Sequence, residues 1–266
     1  MRIDRTGDIA LSTQEVQLRH DGAVAQIVID RPHRKNAMRG RDWLTLGQCL
    51  DQVAGSGARA LWIRGAGGTF SAGYDIGDLD PGDTDARAII EGEVNPVLRA
   101  LRDLEIPTLA AVEGDCVGGG LAIAAACDIV LCGEGARLGS PYGRIGIMSD
   151  GGLHFFLRET LGYQRAAYLI FTGKLLGAAE ALAMGLCCEV HPDEVLAERA
   201  GELAGRLAAG PTRAMALSKS ILRTARHADE ALDLEAEYQA RIFATEDAKA
   251  GIAAFKRGVK PVFDGR

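Results

Sequence analysis

Apolar positions along the chain fall into two periods. Val16 and Leu18, then Val24, Ile27 and Ile29, flank Asp21-Gly22, which predicts a β-hairpin that Arg31-Pro32 ends. Apolar runs over residues 59–64, 108–112 and 129–132 predict further strands. Between them the repeat lengthens to three or four residues. A helix is predicted over 40–54 and another over 86–103, the latter with Ile89, Ile90, Val94, Val97, Leu98 and Leu101 on one face. The last third reads as helical over 162–171, 178–184, 193–209, from Pro211 to about 226, over 231–243, and onward from an N-cap at Thr245, with 186–190 a short connection or strand. Alternating strands and helices in the first two thirds predict an α/β fold with parallel pairing. Residues 1–14 read as a loose leader, and the Pro/Gly/Asp-rich loop 78–85 is too short to separate domains. One domain over 1–266 is expected, with a core to about 200 and a helical region over 201–266.

Composition narrows the picture. At 266 residues with 47% hydrophobic and 25% charged residues and a net charge of -6, the chain can bury a sizeable core, and its acidic balance argues against nucleic acid as a partner. The longest apolar region, 108–132, is broken by Glu113, Asp115 and Asp128, so no membrane span is expected. The start, Met1-Arg2-Ile3-Asp4-Arg5, does not lead into an apolar signal core, and the six cysteines have no metal-ligand spacing. A cytoplasmic protein with reduced thiols and no metal site is expected.

Two glycine-bearing turns carry the candidate chemistry. Gly65-Ala66-Gly67-Gly68-Thr69-Phe70-Ser71-Ala72-Gly73-Tyr74-Asp75-Ile76 follows one predicted strand, and Gly114-Asp115-Cys116-Val117-Gly118-Gly119-Gly120 follows another and runs into an alanine-rich helix. Without Cβ atoms such turns let a ligand approach the backbone, and the first amides of a helix have no intrahelical acceptor. Two turns that each aim one amide at a single carbonyl oxygen make an oxyanion hole. Neither turn fits a nucleotide-binding fingerprint.

Together, Phe70 to Ile76, Val117-Gly118-Gly119-Gly120 with Cys127-Asp128-Ile129, Asp30-Arg31-Pro32 with Lys35-Asn36-Ala37-Met38, Thr245-Glu246-Asp247, and Lys260-Pro261-Val262-Phe263 resemble the signature of the enoyl-CoA hydratase/isomerase (crotonase) superfamily. The resemblance implies a spiral of ββα units with a C-terminal helical trimerisation region, and assembly as a homotrimer or dimer of trimers. It implies an acyl-CoA substrate, with coenzyme A entering as part of the thioester and no metal or redox cofactor. By the same resemblance the amides of Tyr74 and Gly119 form the oxyanion hole. Arg34 or Lys35, backbone groups near Asn36 and Ala37, and Ala72 contact the substrate, and Lys260 or Phe263 comes near the adenine, from the same or a neighbouring subunit.

The second half decides the chemistry. Hydratases of the family place one glutamate two residues after the third glycine and another after a proline matched by Pro141; here those positions hold Ala122 and Tyr142. Adding water to an enoyl thioester needs a base and an acid, and a phenol with a pKa near 10 does not replace a carboxylate as base at neutral pH. One carboxylate remains, Asp150, ahead of Gly151-Gly152 and the apolar run 153–157. Relatives resembling phenylacetate-pathway ring isomerases and Δ3,Δ2-enoyl-CoA isomerases shuttle a proton with this aspartate; those resembling 4-chlorobenzoyl-CoA dehalogenase use it as a nucleophile. Its competing reading is a helix cap. Tyr142 is a candidate hydrogen-bond donor in the pocket, and His154, one helical turn beyond Asp150, a candidate helper. The expected activity is double-bond isomerisation by proton transfer through Asp150. The alternatives are a hydratase or other lyase or hydrolase working through Asp150 and a water, and an idle acyl-CoA-binding protein.

Overall fold

The computed structural model describes residues 12–13, 15–80 and 82–266; the leader expected over 1–14 lies, apart from 12–13, outside the described residues. Strands β1 (Ser12–Thr13), β2 (Val16–Asp21) and β3 (Val24–Ile29) pair antiparallel, with Asp21 opposite Val24 across the hairpin. Strands β4 (Ala60–Gly65), β5 (Thr108–Val112), β7 (Ile129–Gly133) and β10 (Glu189–His191) then extend β3 in parallel, giving a seven-stranded sheet in the order β1-β2-β3-β4-β5-β7-β10. A second sheet joins three strands of three residues each, β6 (Asp115–Val117), β8 (Arg137–Gly139) and β9 (Leu175–Gly177). The sequence pattern did not reveal it, because strands this short leave no measurable alternation.

The central parallel strands β4 and β5 are buried on both faces, as helices packed on both sides of a parallel sheet require. Along β4, Leu61 and Ile63 enter a large cluster that includes Trp43, Leu46 and Leu50 of helix α1 (Gly40–Gly55), while Ala60 and Trp62 face the other way. That second face is covered by α8 (Asp193–Ala208), which presents Leu196, Ala200, Ala204 and Ala208 at four-residue spacing. Small residues on one stripe let the helix lie close to the sheet.

The helix expected over 86–103 forms in three pieces: α2 (Ala86–Ile89), a π-helical turn (Ile90–Val94) and α3 (Asn95–Asp103). Pro96 has no N–H to donate and its ring crowds the preceding carbonyls, which favours a wider turn ahead of it. Helices α4 (Gly119–Ala126), α5 (Leu153–Leu161), α6 (Tyr163–Thr172) and α7 (Ala178–Met184) follow in the core. The C-terminal region is α9 (Thr212–Thr224), α10 (Ala228–Phe243) and α11 (Glu246–Arg257), with Thr245 accepting the Ala248 N–H as N-cap. Among the described residues no helix is long and apolar enough to cross a membrane.

Asp128 ties α9 to the core. Its Oδ2 accepts from the Thr108 backbone N–H at 2.8 Å and pairs with Lys219 at 2.8 Å, while Oδ1 pairs with Arg223 at 2.8 Å. Lys219 is buried, and burial lowers its pKa against the pull of Asp128. Asp128→Ala would leave this ammonium without its counter-charge. A loss of about 3 kcal/mol in unfolding free energy is expected, read by urea denaturation; a change below about 0.5 kcal/mol, the range of ordinary surface substitutions, would show that the network carries little.

Candidate active site

The two glycine turns lie side by side because their backbones pair. Phe70 N donates to Glu113 O at 2.7 Å, Ser71 N to Asp115 O at 3.0 Å, and Val117 N to Ser71 O at 3.0 Å. This approach needs glycine at two places. A Cβ on Gly120 would lie 2.2 Å from Ser71 O, and one on Gly73, whose φ is +89°, would lie 2.7 Å from Gly119 N. Gly119 opens α4, so its N–H has no acceptor one turn back. On the other turn, Met38 N donates to Gly73 O and Asp75 N to Met38 O, both at 2.8 Å, which leaves the intervening Tyr74 N–H outside the bridge.

These amides border an apolar cleft of about 620 Å³. Trp43, Ile76, Leu79, Ile89, Ile90, Val94, Ile147 and Met148 supply most of its apolar wall. Trp43 lies in the helix predicted over 40–54, and Ile90 and Val94 on the apolar face of the one predicted over 86–103. They reach the cleft because α1 and the π turn meet beside the glycine turns, a contact that no local pattern encodes.

Of the carboxylates lining the cleft, Asp75 and Asp150, the first is engaged elsewhere. Asp75 accepts the Gly77 N–H as cap of the short turn after it and pairs with the buried Arg31 at 2.5 Å; the Arg31 hydrogen bond holds its carboxyl below the usual range. Asp150 accepts the Tyr142 hydroxyl at 2.6 Å on Oδ1. Burial pushes its pKa up, opposed by the Tyr142 hydrogen bond and the charge of His154, and the same surroundings push the Tyr142 phenol up. Ser140 and Ser149, both buried with Oγ atoms 2.5 Å apart, pin the loop that carries both partners. The cap reading of Asp150 is not realised: Gly152 is the N-cap of α5 and no side chain caps it.

The other sequence candidates divide. Ala37, Ala72 and Tyr142 line the cleft. Asn36 is a correction. It is fully buried, its carboxamide accepts from Arg31 N at 2.7 Å and donates to Ala66 O and Thr69 O, and its backbone O accepts from Ser71 Oγ at 2.8 Å. With these groups spent inside the fold, Asn36 shapes the turn from beneath rather than meeting a ligand. Arg34 is exposed on the neighbouring turn, and Lys35 pairs with Asp115 at 3.1 Å. His154 is exposed on α5 and absent from the cleft lining. Lys260 is exposed. Phe263 packs near Gly251, and its carbonyl accepts from Arg59, just before the start of β4 and away from the glycine turn at its other end. Within one chain, neither reaches the cleft. Among the described residues no group of three His, Cys, Asp or Glu is placed to hold a metal ion.

A spiral of strands and helices with two paired glycine turns at one mouth defines the crotonase class of folds. Residues 19–266 match the enoyl-CoA hydratase/isomerase family, and the chain belongs to it. It is 32% identical over 250 residues to 1,2-epoxyphenylacetyl-CoA isomerase of Escherichia coli, covering 91% of this chain and 95% of that one. It is also 32% identical over 220 residues to 4-chlorobenzoyl coenzyme A dehalogenase-1 of an Arthrobacter species, covering 80% and 79%. An enoyl-CoA hydratase structure from Bacillus anthracis superposes with a TM-score of 0.90 at 26% identity, covering 95% of this chain and 100% of that chain.

Proposed function

We propose that this chain isomerises a coenzyme A thioester by moving a proton along its acyl group, with Asp150 as the proton carrier. The observation that carries the reading is the single available carboxylate: Asp150 borders an apolar cleft beside two unpaired amides, and the position of the first hydratase glutamate is the fully buried Ala122. The thioester oxygen sits between the Tyr74 and Gly119 N–H groups. Ionised Asp150 takes a proton from the acyl chain, the electron pair moves onto that oxygen as an enolate, and the two amides stabilise it. Protonated Asp150 then returns the proton to another carbon, the electron pair moves back, and the double bond has shifted. Apolar walls favour this sequence because they raise the carboxyl pKa toward that of an effective acid–base group.

The test is incubation with 3-enoyl-CoA and with crotonyl-CoA in deuterated water, read by mass spectrometry. A 2-enoyl product carrying deuterium is expected from the first. Conversion of crotonyl-CoA to a 3-hydroxyacyl thioester would replace this reading with hydration.

Burial raises the Asp150 pKa, and the Tyr142 hydrogen bond opposes that rise. Asp150 must be ionised to accept a proton, so kcat/KM should rise with pH through its raised pKa. The Tyr142 hydrogen bond favours the charged form, so Tyr142→Phe should move the acid limb of the profile to higher pH. A limb that stays in place would show that the phenol does not govern the carboxylate.

A further inference from the structure

The peptide plane between residues 73 and 74 carries both the Gly73 carbonyl and the Tyr74 N–H. The carbonyl is held by the Met38 N–H at 2.8 Å, and Gly73, with φ +89°, adds little resistance to rotation on that side. One bond fixes one edge of the plane and leaves its tilt open. A second restraint comes from the Tyr74 side chain, whose hydroxyl donates to Glu93 Oε2 at 2.8 Å across 19 residues of chain.

Glu93 is itself tightly placed. It lies in the π turn Ile90–Val94, and a Cβ on Gly40 would fall 2.4 Å from its Oε2 and 2.8 Å from its Oε1. Its carboxylate therefore rests against the first residue of α1, where the unpaired helix amides favour negative charge. The same π turn contributes Ile90 and Val94 to the cleft wall. One carboxylate thus joins three elements: the start of α1, the wall that an acyl chain would touch, and the turn bearing Tyr74.

We propose that Glu93 is a positioning residue for the oxyanion-binding turn, fixing the Tyr74 N–H on the thioester oxygen by holding the hydroxyl of the same residue. The inference rests on the reading of Tyr74 and Gly119 as the oxyanion donors. Glu93 makes no bond to substrate in this role. Its effect is on the aim of the amide, and a misaimed donor loses much of its advantage in the transition state while ground-state binding, spread over the cleft, changes little.

The test reads carbonyl polarisation without turnover. Cinnamoyl-CoA absorbs in the near ultraviolet, and donors on its thioester oxygen shift the band to longer wavelength. The wild-type protein should bind it with a red shift. Glu93→Ala should bind it within about threefold of wild type, lose most of the shift, and slow α-proton exchange of a saturated acyl-CoA by about tenfold or more. Glu93→Gln, whose amide oxygen can still accept, should restore both. Tyr74→Phe should reproduce Glu93→Ala, and the double variant should add nothing further, since both remove the same bond. A full red shift in Glu93→Ala and in Tyr74→Phe would overturn the proposal while leaving the oxyanion reading intact. Bound cinnamoyl-CoA with no shift in the wild type, or no binding at all, would overturn the oxyanion reading and this proposal with it.

Discussion

Replacing Asp150 with asparagine should lower turnover of the isomerised thioester by between about 10²- and 10⁴-fold, the range set by loss of a positioned acid–base group. The substitution keeps the shape of the side chain, and the amide oxygen can still accept from the Tyr142 hydroxyl that now lies 2.6 Å from Oδ1. What it removes is basicity. The nearest substitute in the cleft lining is Asp75, whose carboxyl is held by Arg31 and by the Gly77 amide. No rescue from that side is therefore expected. Stability should move the other way or stay level, because burial already disfavours the charged carboxylate and a neutral amide is free of that cost. Turnover and thermal unfolding measured on the same preparation separate the two effects. Activity above about a tenth of wild type would remove Asp150 from the role of proton carrier.

A second measurement separates proton transfer from covalent attack by Asp150. Rapid quenching of wild type with substrate should show no acyl group attached to the peptide containing Asp150. Its appearance would favour covalent chemistry.

The parts of the fold that were legible in sequence are those whose physics is local. The hairpin follows from two apolar runs around Asp21-Gly22, and β4 follows from a run dense enough to be buried on both sides, Leu61 and Ile63 one way and Ala60 and Trp62 the other. Thr245 as an N-cap also came from local spacing. The site was legible where it is backbone: the positions that could not carry a Cβ stood out as glycines. Side-chain contacts across the chain were not. Nothing local places Tyr74 on Glu93, or the Asn36 carboxamide on Arg31, Ala66 and Thr69. The second sheet escaped for a different reason. Its strands are held by their neighbours rather than by their own pattern, Asp115 to Val117 lying along Arg137 to Gly139.

Gly73→Ala should be nearly as damaging to chemistry as the loss of Asp150, although it removes no functional group. The added methyl would lie 2.7 Å from Gly119 N and 3.0 Å from Val117 O, both backbone atoms that cannot swing aside, and the residue must also hold φ near +89°, a conformation that costs an L-residue energy. Relief requires the two turns to part. Parting them moves the Tyr74 and Gly119 amides off a common point, and since each oxyanion donor is worth about 10²–10³ in kcat, a loss of at least that size is expected. The apolar cleft wall is left in place, so the dissociation constant for a saturated acyl-CoA should rise by less than about tenfold. Part of the strain will also appear as a lower unfolding temperature, the overpacking cost being about 1–3 kcal/mol. Gly68→Ala is the control: it too has positive φ, at +71°, but its Cβ would meet nothing within 4 Å. That variant should lose stability with catalysis intact, whereas Gly73→Ala should lose kcat out of proportion to its stability. If the two variants prove alike, backbone strain alone accounts for the effect, and the close approach of the turns does not serve catalysis.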